Sequence, residues 1–92
     1  MAQIIKTTGE TINVEPKNGT DFTWQELHDI VNGYIEIVPL LGGKIMVVNE
    51  EGKVHGLQIN EKATGLFQQQ CKYFSLDVIV GDVLVCKTSQ VK

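Results

Sequence analysis

The 92-residue sequence predicts one domain, residues 1–92, of the α+β class: a mostly antiparallel sheet with two helices packed on it. Three observations lead to this class. Thr23-Trp24-Gln25-Glu26 is a capping box that starts a helix, and Asn32-Gly33 ends that helix with a left-handed residue. Apolar residues then alternate from Tyr34 to Leu40, as in a strand. Short β-prone runs, separated by glycine-containing turns, occur on both sides of this joint.

The first third of the chain predicts a hairpin followed by a helix. Ile4-Ile5 and Ile12-Asn13-Val14 flank Thr8-Gly9-Glu10, which is the spacing of two strands joined by a tight turn. Helical spacing then places four apolar residues on one stripe of the helix, which we expect to face the sheet. These are Trp24, Leu27, Ile30 and Val31.

The remaining elements complete the order β-β-α-β-β-β-α-β. Ile45–Val48 is a continuous apolar run, typical of a central strand covered on both faces. Val54–Ile59 predicts a further strand, although Gly56 weakens it. Asn60 is the expected N-cap of a second helix from about Glu61 to Lys72, and Asp82–Lys87 is the last strand. The simplest packing places both helices on one face of the sheet.

Composition narrows the classes of partner. The net charge is −3 and the sequence has no run of Lys or Arg, so we do not expect binding to duplex nucleic acid. No apolar stretch is long enough for a spanning helix, and the first residues lack the pattern of a signal peptide, so we expect a cytoplasmic protein away from the membrane. The two cysteines, Cys71 and Cys86, are expected to be reduced thiols.

Four segments of the sequence carry a resemblance to a known family. They are Gly33–Leu40, Val48–Lys53, Gly56-Leu57 with Asn60–Ala63, and Asp77–Val85. Together they resemble a small family of unknown function found in bacteriophages, plasmids and bacterial mobile elements, whose members share G-Y-I-E-V type and D-V-I-V-G-D type segments. The resemblance extends roughly from Thr23 to Val85 and leaves the first hairpin outside. It implies an origin on a mobile element and an action on a host process.

The residues themselves do not indicate catalysis, a metal centre or a cofactor. The four metal-ligand types, His28, His55, Cys71 and Cys86, form no close pair of the kind that zinc sites use. Leu41-Gly42-Gly43-Lys44 lacks the pattern of a phosphate-binding loop and is better explained as a hairpin turn.

Polar side chains within the matched segments are the candidates for ligand contact, because packing explains the apolar ones. Tyr34 has a ring that can stack on a base. Asn49 and Asn60 carry the paired donors and acceptors that a base edge or a ribose requires, although turn and capping geometry also explains them. The full set is Tyr34, Glu36, Asn49, Glu50, Lys53, Gln58, Asn60, Asp77 and Asp82.

By analogy with other small phage-borne domains, the expected function is non-enzymatic. The protein would be a homo-oligomer that sequesters a nucleotide-derived immune signal in a pocket at the subunit boundary. One alternative is a protein-interaction module that docks through an exposed sheet edge onto a host enzyme and inhibits it. Another is a small hydrolase of the signal, built on Glu36 and the Asp77/Asp82 pair.

Overall fold

A computed structural model of the chain describes residues 2–70 and 77–91, and it confirms the α+β class. In chain order the elements are β1 Ala2–Ile5, β2 Thr11–Val14, α1 Trp24–Val31, β3 Ile35–Pro39, β4 Lys44–Asn49, α2 Glu61–Gln70, β5 Val83–Lys87 and a 3₁₀ helix at Thr88–Gln90. The five strands form one antiparallel sheet in the order β2-β1-β5-β4-β3. β2 and β3 are therefore the two edges of this sheet.

Helix α1 begins and ends at the residues that local signals predict. The Thr23 hydroxyl accepts the backbone N–H of Glu26 at 3.2 Å, and the Glu26 carboxylate accepts the N–H of Thr23 at 2.9 Å. The Thr23 hydrogen bond is the main reason why the pKa of Glu26 lies below its ordinary value, and the Lys17 N–H adds to it. At the other end Asn32 has φ 61° and donates its N–H to the carbonyl of His28 at 2.7 Å.

The two helices cover opposite faces of the sheet, so the prediction that both lie on one face is wrong. Side chains alternate along β4, and its four apolar residues therefore supply both faces. We call the two resulting clusters the α1-side core and the α2-side core. The first comprises Ala2, Phe22, Leu27, Val31, Ile45, Val47, Leu84 and Cys86. The second comprises Ile5, Leu40, Met46, Val48, Ala63, Phe67, Ile79 and Val83.

The α1 stripe is only partly as predicted. Leu27 and Val31 are buried and Ile30 packs against them, but Trp24 is 54% exposed and its ring lies 4.9 Å from that of His28. Phe22, which precedes the helix and was not on the stripe, lies in the α1-side core instead.

The predicted strand Val54–Ile59 is absent, and turns replace it. The N–H of His55 donates to the carbonyl of Glu51 at 3.0 Å, and Gly56 has φ 68°, a conformation outside the strand region. Gly52 lies so close to Val80 that a Cβ at this position would be 2.7 Å from a Val80 methyl. We refer to residues 50–57 as the turn segment. Only Ile59 forms a bridge, to Val80, so the described chain has five strands rather than six.

The Asn60 side chain connects three parts of the fold. It is completely buried, its Nδ2 donates to the carbonyls of Ile5 and Gly81 at 2.9 Å each, and its Oδ1 accepts the N–H of Ala63 at 3.0 Å. The last bond confirms Asn60 as the N-cap of α2. The same side chain thus holds the end of β1, the start of α2 and the segment that leads into β5.

We expect Asn60→Ala to lower the free energy of unfolding by about 3 kcal/mol, because it leaves two buried carbonyls and one amide without partners. Urea denaturation followed by circular dichroism measures this quantity. Asn13→Ala is the matched control, since the Asn13 side chain is exposed and accepts one hydrogen bond from Gln3, and we expect a change within about 0.5 kcal/mol. Equal losses for the two variants would contradict this role for Asn60.

Candidate ligand-binding site

A cavity lies on the α2 side of the sheet, beside the edge strand β3. It has a volume of about 370 Å³, near the lower end of the range of roughly 300–1,000 Å³ that small-molecule sites occupy. Residues of β3 and the end of β4 form one wall, the turn segment and residues 77–80 form the other, and Phe67 of α2 contributes to the lining.

Apolar side chains of the α2-side core form the inner surface of the cavity. Val38, Val48, Phe67 and Ile79 all line it, and each also packs in or against that core. Because the core fixes these side chains, the surface they present is preformed. Such a surface suits a flat ring, which gains affinity from removing apolar area from water.

Acidic side chains lie at the polar part of the lining. Glu36 is opposite Val48 in the ladder and Glu50 donates its N–H to the carbonyl of Tyr34 at 2.9 Å, so both glutamates belong to the α2 face. Both are exposed and line the cavity, as does Asp77. Among the described residues of the lining, three acidic groups therefore accompany one lysine, Lys53, and this part of the cavity favours ligand groups that donate hydrogen bonds.

An ion pair between Lys53 and Asp77 joins the turn segment to residues 77–80 within one wall of the cavity. The Lys53 ammonium donates to Asp77 Oδ1, and this bond is the main reason why the pKa of Asp77 lies below its ordinary value. The N–H of Val78, 2.9 Å from the same oxygen, lowers it further. Both charged side chains are more than half exposed, so the pair contributes no more than about 1 kcal/mol to stability. A ligand can therefore separate it at little cost.

The structure brings five of the nine sequence-predicted residues to this cavity. They are Glu36, Asn49, Glu50, Lys53 and Asp77. Of the other four, Gln58 and Asp82 line a separate depression of about 180 Å³, where Asp82 accepts the N–H of Thr7 at 3.0 Å. Tyr34 is 63% exposed just before β3, and Asn60 is buried in the interior.

Main-chain groups occupy the polar atoms of Asn49, as they do those of Asn60. Its Nδ2 donates to the carbonyls of Val31 at 3.0 Å and Asn32 at 3.3 Å, and its Oδ1 accepts the N–H of Glu51 at 2.8 Å. Asn49 thus ties the end of α1 to the end of β4. Gly33 makes this approach feasible, because a Cβ at this position would lie 2.7 Å from Asn49 Nδ2.

We expect Gly33→Ala to lower the free energy of unfolding by about 1–2 kcal/mol, because the added methyl displaces the Asn49 amide. Gly65→Ala is the matched change in α2, where an added Cβ meets nothing within 4 Å, and we expect it to raise stability by about 0.5–1 kcal/mol. Thermal and urea denaturation of both variants checks these values. Stabilisation by both changes would show that the close approach to Asn49 is unimportant.

Sequence reasoning missed the apolar half of the cavity. Phe67, Ile79 and Val80 are not among the predicted site residues, because packing explains apolar side chains. The signal that identifies them is spatial, since they meet β3 only in the folded sheet. Gly52 belongs to the same group, because its contact with Val80 brings the turn segment against residues 77–80.

Within residues 2–70 and 77–91, no group of three or more His, Cys, Asp or Glu side chains is arranged to hold a metal ion. Cys86 is a free thiol in the α1-side core, and burial raises its pKa to about 11, which makes it a poor nucleophile. Cys71 and the second helix's predicted end at Lys72 lie outside the described residues. Neither helix of the described chain combines the length and the apolar character that crossing a membrane requires.

The fold and the cavity define a small single-sheet protein with one helix on each face and a ligand-sized cavity beside an edge strand. The chain belongs to the family described as domain of unknown function (DUF3846), which it matches over residues 2–91. This is consistent with the resemblance to a family of unknown function, and the match includes the first hairpin. No curated protein and no solved structure matches the chain.

Proposed function

We propose that this protein binds a nucleotide-derived signal without turning it over, and that it is carried by a phage or related mobile element to lower the free concentration of that signal in a host under attack. The observation that carries the proposal is the cavity beside β3, where five predicted residues meet an apolar wall. Sequestration requires affinity and copy number rather than a catalytic group, which agrees with the residue types present.

The apolar wall is the expected place of the nucleobase. Val38, Val48 and Phe67 present carbon surface, and a base has two flat faces that lose little by leaving water. Glu36 and Glu50 at the polar part of the lining would accept hydrogen bonds from ribose hydroxyls or from exocyclic amino groups. A carboxylate acceptor is selective for such donors, because it repels groups of like charge.

The same charges favour a binding mode in which the phosphates lie outside the cavity. Three acidic side chains disfavour an anion within it, and Lys53 is the cation among the lining residues that the structure describes. A phosphate at the mouth would take Lys53 from Asp77, and the exposed ion pair is weak enough to allow this exchange. The proposed ligand thus enters base first, with its phosphate near Lys53.

The structure separates the two acids of the Asp77/Asp82 pair on which the hydrolase alternative is built. Asp82 lies in the separate depression and accepts the N–H of Thr7, whereas Glu36 and Asp77 both line the cavity. A general acid and base must both reach the reacting bond, so hydrolysis would depend on Glu36 and Asp77, and the search for product in the second experiment below tests it.

We expect Lys53→Gln to weaken the binding of nucleotides about three- to tenfold, because it removes the cation that would contact the phosphate. We expect Asp77→Asn to strengthen binding by a similar factor, because the Lys53 ammonium then no longer pairs with a carboxylate. Calorimetric titration with adenine and guanine nucleotides, linear and cyclic, measures the affinities. The matching nucleosides, which lack phosphate, should bind all variants equally. Lys44→Gln is the control, since Lys44 lies outside this cavity.

The second experiment identifies the ligand. Native mass spectrometry of protein purified from cells with active antiviral signalling, followed by heat release, should yield an intact nucleotide. Product that accumulates with time would instead indicate the hydrolase. Protein that neither retains nor binds any nucleotide from such an extract would contradict the proposal.

A further inference from the structure

The main-chain hydrogen bonds of β3 define which of its groups point away from the sheet. At its two ends, the N–H of Leu40 donates to the carbonyl of Lys44 at 2.9 Å, and the N–H of Glu50 donates to the carbonyl of Tyr34 at 2.9 Å. Bonded residues alternate in an antiparallel ladder, so the even-numbered residues of this segment bond to β4. The odd-numbered residues direct their main-chain groups outward.

The outward groups are the N–H and C=O of Ile35 and Ile37 and the C=O of Pro39. Pro39 has no N–H. Since the main-chain groups of odd-numbered residues point away from β4, no hydrogen bond to β4 is lost at this position. Among residues 2–70 and 77–91, no other strand pairs with this edge. An edge with free donors and acceptors is a template for a further strand.

Exposed apolar side chains accompany this edge and not the other. Three of the seven large exposed hydrophobic residues in the described chain lie on β3 or directly beside it: Tyr34 at 63%, Ile37 at 41% and Leu41 at 55%. None of the seven lies on β2, the opposite edge, where Asn13 is exposed. Apolar area next to unpaired main-chain groups is a feature of strands that pair between chains.

We propose that β3 pairs with β3 of a second copy of this chain, antiparallel and centred on Ile37. The Ile37 N–H of each copy then donates to the Ile37 carbonyl of the other, and the Ile35 N–H of each donates to the Pro39 carbonyl of the other. This arrangement makes four hydrogen bonds and uses Pro39 only as an acceptor. It also places Tyr34 of one copy beside Leu40 and Leu41 of the other.

Charge and hydrogen-bond count select this register. A pairing centred on Glu36 would place two glutamates directly opposite each other, which is repulsive. A pairing centred on Val38 would keep only the two bonds from Ile37 to Pro39, because proline cannot return them. Centred on Ile37, Glu36 lies opposite Val38 of the second copy and Ile37 contacts its own counterpart.

The pairing completes the proposed ligand site. Glu36, Ile37, Val38 and Pro39 of β3 all line the cavity, so a second β3 lies directly against it. Residues opposite each other in a ladder share a face, so Val38 of the second copy lies on the cavity side, next to Glu36. The two cavities then open on the same side of a ten-stranded sheet, each bounded by both copies. This inference deepens the proposed function and rests on the same cavity.

A charge-exchange experiment tests the pairing and its register together. Ile37→Lys and Ile37→Glu each place like charges opposite one another, and we expect self-association at least about tenfold weaker than that of the wild type. A 1:1 mixture of the two variants should recover dimerisation, because unlike charges then face each other. Sedimentation velocity over a concentration series measures the dissociation constants, and Asn13→Lys and Asn13→Glu on β2 should leave them unchanged.

Amide hydrogen exchange provides the second measurement. The Ile35 and Ile37 amides should gain protection as the wild-type concentration rises, while circular dichroism shows that the Ile37 variants remain folded. A monomeric wild type throughout the series, protection that does not depend on concentration, or protection only on adding a host protein would overturn the proposal. A mixture that fails to recover would overturn the register. No nucleotide is present, so this test and the nucleotide titrations fail or succeed separately.

Discussion

The buried amide of Asn60 is the interaction on which the rest of the structure depends. Two N–H donors and one carbonyl acceptor meet three main-chain groups from three different parts of the chain. No other side chain of this size offers the same combination, since aspartate lacks the donors and leucine lacks all polar atoms. A protein of 92 residues has a small core. The hydrogen bonds of one buried polar side chain therefore contribute a large share of the interactions that fix these three segments relative to one another.

The cavity follows from this arrangement. Residues 77–80 belong to no strand beyond a single bridge, and yet their position is fixed. The Thr64 hydroxyl accepts the N–H of Ile79 at 2.9 Å and donates to its carbonyl at 3.2 Å, while the N–H of Asn60 donates to the same carbonyl at 2.8 Å. One wall of the cavity is therefore held by the start of α2 and the other by the sheet. The exposed Lys53–Asp77 pair joins the turn segment to residues 77–80 within the first wall.

Local signals in the sequence predicted the elements whose causes are local. The Thr23–Glu26 capping box, the left-handed end of α1 and the Asn60 cap each involve residues close together in the chain, and the structure has all three. The arrangement of the layers was predicted wrongly, because the faces that α1 and α2 cover depend on contacts between distant segments. The prediction of a strand at Val54–Ile59 was also wrong. The close approach at Gly52 and the positive φ of Gly56 favour turns there despite the β-propensity of Val54 and Ile59.

The candidate site shows the same division. Residue type and segment identified polar candidates, but only the folded sheet separates Glu36 and Glu50, which line the cavity, from Asn60, which is interior. Asn49 shows why type alone is insufficient. Its side-chain amide has the groups to bind a base edge, but it already donates to a carbonyl at the end of α1. The two residues are 18 positions apart, and no pattern of sequence spacing predicts a hydrogen bond between them.

Both faces of β4 are buried, so the alternation of apolar and polar residues that usually determines the register of a strand is missing from it. In a sheet with one solvent-exposed face, a register shift of one residue moves apolar side chains from the core into water and destabilises the sheet. Ile45–Val48 is apolar throughout, so a slipped β4 would still bury carbon on both faces. The penalty instead falls on the polar end of the strand, because Asn49 would lose the carbonyls of Val31 and Asn32. The hydrophobic pattern of β4 is therefore compatible with more than one register, and the hydrogen bonds of the Asn49 amide select the observed one.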